Sequence, residues 1–146
     1  MTNLFFDIIC YAIVVMMFIA ILRITKNKRV KISFSGKTLE GHVLAVQQGL
    51  NGRIGLLNTP RLNPGDGILL IGSKSIHTVG MNMAIDLVFL DDSNRFIGKM
   101  ESVQPGNKKI KGPAGTKSIL ELGSGTIAKY FEDIPSYTKV EIEHHD

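Results

Sequence analysis

The longest hydrophobic run is the first. Leu4 to Leu22 (LFFDIICYAIVVMMFIAIL) carries one charged residue, Asp7, in 19 positions. As a continuous helix rising 1.5 Å per residue it would extend roughly 28 Å, close to the ~30 Å hydrocarbon core of a bilayer. No Lys or Arg precedes the run, whereas Arg23, Lys26, Lys28, Arg29 and Lys31 follow it. A cleaved signal peptide would begin with basic residues and end on a small-x-small site. The pattern therefore predicts an uncleaved single-pass anchor with a basic juxtamembrane linker, residues 1–31. Asp7 falls one turn from the helix start, where its carboxylate reaches the interface near the positive pole of the helix.

Beyond the linker the periodicity shortens. VKISF (30–34) alternates apolar and polar residues as a half-buried strand does, SGKT punctuates it, and LEGHVLAV reads as a second strand. Leu50, Ile54 and Leu57 recur at helical spacing, predicting a short amphipathic helix from about Gln48 to Leu57. NTPRLNPGDG is loop. Five strand candidates follow: ILLI (68–71), SIHTV (75–79), IDLVFL (85–90), RFIGKMESV (95–103) and SILEL (118–122). DDSN reads as a tight turn with Asn94 left-handed. GSGTIAKYF predicts a second short helix, and TKVEIE a closing strand. The expected fold class is α+β: a transmembrane helix, then a compact, mostly antiparallel sheet or barrel with two short helices, residues 32–146.

Charge changes the picture only by where it lies. The net charge of +4 arises in the first 31 residues, which hold five cations against Asp7; the remainder carries 12 basic and 12 acidic residues. A nucleic-acid binder would show its excess of cations in the folded domain, so nucleic acid is set aside as a partner. The single cysteine, Cys10, cannot form an intrachain disulfide. Basic residues flanking a span stay on the cytoplasmic side, which predicts an inner-membrane protein with its domain inside and the lipid bilayer as a partner.

The chemistry concentrates in SIHTVGMNMAIDLVFLDD (75–92). Ile85, Leu87 and Phe89 share one face of their strand, and Asp86, Val88 and Leu90 the other. With both faces apolar the strand is expected to be central, and Asp86 must be paired or hydrogen-bonded to be tolerated there. Arg53, His77 and backbone N–H groups are the expected partners. The bland reading makes Asp86 an architectural lock; the sharper one makes Arg53, His77, Thr78, Met81, Asp86 and Glu121 the wall of a pocket. His77, Met81 and Met83 form a soft set suited to Cu(I). Core filling explains the methionines more simply, so neither metal nor cofactor is expected. Ser75 or Thr78 would need His77 as base and Asp86 as orienter to act as a nucleophile. Neighbours on a strand point apart, which weakens the Thr78 case. Glu121, set among Leu120 and Leu122, is either on a solvated face or a second buried carboxylate. No catalytic residue is assigned.

The order GRIGLLNTPRLNPGDGILLI, SIHTVGMNMAIDLVFLDDSNRFIGKMESVQPG and SILELGSGTIAKYF resembles the domain-of-unknown-function family 192. The matching positions are Arg53, Gly55, Leu56, Leu57, Gly67, His77, Thr78, Met81, Ile85, Asp86, Phe89, Leu120, Glu121 and Gly125. The chain departs from the pattern at MNMAID, where a Phe-Pro pair commonly precedes Ile-Asp, and at PSYTKV. The resemblance implies a small β-rich domain and no established activity. It also implies export in many members, against the cytoplasmic placement above. The expected function is a membrane-anchored binding or assembly module, an accessory subunit of a membrane or envelope complex. The alternative is a small-molecule or carbohydrate-binding, conceivably hydrolytic, domain with a His77/Asp86 pocket.

Overall fold

A computed structural model describes residues 9, 12, 13, 16, 28–47, 56, 57 and 59–145. Among the described residues ten strands are present: β1 (Lys28–Phe34), β2 (Lys37–Thr38), β3 (Val43–Gln47), β4 (Gly67–Ile71), β5 (Ser75–Ile76), β6 (Ile85–Leu90), β7 (Phe96–Val103), β8 (Ile110–Lys111), β9 (Ser118–Gly123) and β10 (Glu141–His144). Eight form one sheet in the order β10-β1-β3-β4-β9-β6-β7, with β2 beside β1; β5 and β8 make a separate ribbon. Every pairing is antiparallel except β3 with β4, which run parallel from Val43↔Gly67 to Gln47↔Ile71. A parallel pair cannot be joined by a tight turn, and 19 residues separate Gln47 from Gly67 in the chain. The two ends of the sheet approach each other where Arg95 bridges Lys139, and Phe96 N–H donates to the Thr138 carbonyl.

The curved sheet separates two cores. Val30, Ile32, Phe34, Leu69, Val88, Leu90, Leu120 and Leu122 fill the first, closed by Phe96 and Phe131. Phe131 stacks on Phe34 with ring centroids 4.3 Å apart. Ile68, Leu70, Ile85, Leu87, Phe89 and Ile119 face the second, with Leu56, Ile76, Met81, Val103 and Ile110 over them. Because both faces are covered, β6 and β9 are buried at every position, as near-continuous apolar runs require.

Several expectations are corrected. The fold is mostly β rather than α+β. Among the described residues the helical content of the domain is one five-residue turn of π-type, Ile127–Phe131, in place of two short helices. Isolated helices this short are marginal, and Pro135 follows closely, so packing of Ile127 and Phe131 decides the local shape. The helix expected from Gln48 to Leu57 lies outside the described residues except at Leu56 and Leu57, which form a turn.

The transmembrane helix and the single-pass inner-membrane location are corrected too: among the described residues no helix is long and apolar enough to cross a membrane. Hydropathy alone does not specify a continuous helix. Of Leu4–Leu22 only Ile9, Ala12, Ile13 and Met16 are described, all helical and exposed; Asp7 and Cys10 lie outside. Arg23 and Lys26 also lie outside the described residues. Lys28, Arg29 and Lys31 belong to β1 instead of a linker, and Lys31 pairs with Glu143 of β10 at 3.8 Å.

Candidate functional site

Strand alternation places Glu121 on the face of β9 shared with Ile119, so its carboxyl enters the second core. Its register neighbours there are Ile68 of β4 and Leu87 of β6, both buried. Gly67 lets the strands close: a Cβ at that position would collide with the Glu121 carbonyl. Glu121 is 4% exposed, and its Oε2 has no hydrogen-bond partner among the described residues. Burial pushes its carboxyl up to about 7. The same core holds buried Leu56 and Met81 and half-buried Leu57, Leu62 and Met83. Near neutral pH such a group exists in both protonation states. Its open oxygen can accept a hydrogen bond from a donor or pair with a cation.

Asp86 lies on the opposite face of the sheet, registered against Leu122. Two residues of β7, Glu101 and Ser102, stand opposite Asp86 alone, a bulge with Ser102 at φ 48°. The Ser102 N–H lost from the ladder donates to Asp86 Oδ1 at 2.9 Å, and the Ile127 N–H donates to Oδ2 at 2.9 Å. Both oxygens thus fasten the backbone of two other elements. Sequence reasoning allowed for N–H partners but could not locate them, because Ser102 and Ile127 carry no motif of their own.

Thr78 is fully buried. Its hydroxyl donates to the Gln104 carbonyl at 2.8 Å and accepts the Asn107 N–H at 3.0 Å, tying the 104–107 turn to the end of β5. His77 beside it is exposed. The expected strand 75–79 stops at Ile76, so strand alternation does not govern His77 and Thr78. Among the described residues no hydrogen bond joins His77 to Ser75 or Asp86, whose two oxygens accept the Ser102 and Ile127 N–H groups. Arg53 lies outside the described residues. Among those described, no three His, Cys, Asp or Glu side chains are grouped to hold a metal ion. Met81 and Met83 join Glu121 in the second core, away from the exposed His77. Of the six expected pocket residues the fold brings Met81 and Glu121 into one layer, with Thr78 held to Met81 through its carbonyl, while Asp86 takes the other face and His77 is exposed.

Comparison with known proteins agrees with this architecture. A crystal structure from Sinorhizobium meliloti 1021, described as a candidate transcription regulator, superposes with a TM-score of 0.66 at 18% identity, covering 80% of this chain and 93% of that one. A protein of unknown function from Novosphingobium aromaticivorans DSM 12444 gives 0.65 at 15% identity, covering 77% and 83%. At these identities the likeness is one of fold. No curated protein matches the chain. A family model does match, over residues 30–134, and the chain belongs to that family, DUF192, described as an uncharacterized ACR.

Proposed function

We propose that this domain is a binding module whose ligand is received at the Glu121 face of the sheet. The observation that carries the reading is the buried Oε2 of Glu121, without a hydrogen-bond partner among the described residues, on the sheet face that carries the second core. A buried oxygen without a donor costs about 1–3 kcal/mol, and a ligand bearing an ammonium, guanidinium or hydroxyl group would recover it. The apolar surroundings of Leu56, Leu57, Met81 and Met83 favour a ligand with a hydrocarbon portion next to that donor. Several positions of the family resemblance converge on this layer, among them Leu56, Met81, Ile85, Phe89 and Glu121, which supports a common site.

The test uses n-butylammonium and n-butanol as probes, followed by the Glu121 carboxyl carbon and the Ile68 and Leu87 amides in NMR spectra. A cation binds the carboxylate form, so affinity should rise with pH through about 7. The ionised fraction predicts a gain of roughly tenfold between pH 6 and pH 8. Glu121→Gln should abolish the butylammonium response while leaving the fold intact. Equal responses to both probes in wild type and variant would sink the reading.

A further inference from the structure

The β5–β8 ribbon and the loop after it enclose a cleft of about 610 Å³, lined by Lys74, Ser75, Lys109, Lys111 and residues 112–117, Lys117 included. Four ammonium groups thus share one concavity, and no acidic side chain lines it among the described residues. None of the four is in an ion pair among the described residues; those pairs are made by Lys31, Arg95 and Lys129. The sequence explains the convergence. Ile110 is buried in the second core, so Lys109 and Lys111 on either side of it turn outward together. Register places Lys111 against Ser75, next to Lys74.

The backbone beneath these cations is fixed. Gly112 N–H donates to the Lys74 carbonyl at 3.2 Å, and Lys117 N–H to the Leu90 carbonyl at 2.8 Å. Between them Pro113–Thr116 forms a turn closed by Thr116 N–H on the Pro113 carbonyl, with Gly115 at φ 92°. The Thr116 hydroxyl donates to the same carbonyl at 2.7 Å. A side chain at Gly112 would strike Thr116 and Phe89, so the wall approaches the core as closely as glycine allows. Four like charges on a rigid wall repel one another, and a bound counter-ion removes that cost. A solvated lysine face needs neither the concavity nor the fixed wall.

We infer that this cleft binds a small polyanion carrying at least two phosphate or carboxylate groups. The volume falls within the ~300–1,000 Å³ typical of small-molecule sites, and the donors are point charges that suit either oxyanion. The site is separate from the Glu121 layer, and each can fail without the other.

The experiment titrates the full chain with inorganic pyrophosphate, citrate and a 12-nucleotide single strand, followed by amide shifts. Pyrophosphate or citrate should saturate, with shifts confined to residues 74–75 and 109–117; which of the two binds tighter separates phosphate from carboxylate ligands. Lys109→Gln combined with Lys111→Gln should weaken binding at least tenfold with unchanged thermal melting. Lys129→Gln and Lys139→Gln, outside the cleft, should leave it unchanged. Non-saturating shifts spread over all lysines, or equal affinity in every variant, would overturn the inference. So would an oligonucleotide that binds tighter than either small anion and shifts residues beyond the cleft.

Discussion

Glu121 and Asp86 are carboxylates on adjacent strands, and the way each is accommodated sets what it can do. Asp86 accepts two backbone N–H bonds, one on each oxygen, so both oxygens are satisfied where they sit. Among the described residues Glu121 has no such compensation for Oε2, and burial favours its neutral form, with a pKa raised from 4.5 to about 7. The sign follows. Stability from this residue is full below about pH 4.5, declines as the pH rises, and is gone once the pH passes about 7. The loss is on the order of 3 kcal/mol. Urea denaturation at pH 5 and pH 8 should report that difference in wild type. Glu121→Gln, which cannot ionise, should remove the share due to this residue. Much of this was hidden in the sequence: the Leu-Glu-Leu context left Glu121 equally compatible with a solvated face. Only the pairing of β9 between β4 and β6 decides that both of its faces are covered.

At the scale of elements, legibility followed periodicity. IDLVFL, apolar on both faces, was readable as a central strand, and β6 occupies those residues. ILLI and SILEL were similarly placed by their apolar runs. What periodicity could not convey was connection. The parallel pairing of β3 with β4 depends on which edges remain free once β1 and β9 have paired, a tertiary matter. Turn chemistry was more local and therefore more legible. Asn94 adopts φ 56°, and Asp91 organises the turn around it: Oδ1 accepts the Ser93 and Arg95 N–H groups, and Oδ2 pairs with the Arg95 guanidinium at 2.8 Å. Burial opposes ionisation of Asp91, yet these donors outweigh it and hold the carboxyl below its usual value. Because β-branched residues tolerate the left-handed region poorly, Asn94→Val should cost about 1–2 kcal/mol. Asn94→Gly should be close to neutral. Thermal melting of the two variants checks the contrast.

For the whole molecule, an average conceals how charge is distributed. The balance of 12 cations and 12 anions after residue 31 is real, but it conceals a segregation. GNKKIKGPAGTK carries four of those cations and no acid, the signal that would have found the lysine cleft. On the other side of the same loop, Asp91 and Asp92 line a cavity of about 340 Å³ with Tyr137 and Lys117. The apolar N-terminal run has the hydropathy of a span, yet among the described residues no helix is long and apolar enough to cross a membrane. The Asp86 clamp has a consequence for how the molecule opens. One side chain holds amides on β7 and on the Ile127–Phe131 turn, so neither segment can release its amide to solvent without breaking contact with that side chain. The two should detach as a single cooperative unit. Native-state hydrogen exchange should therefore return one opening free energy for the Ser102 and Ile127 amides, and Asp86→Asn should speed both together. Two unrelated rates would mean that the strand and the turn breathe independently.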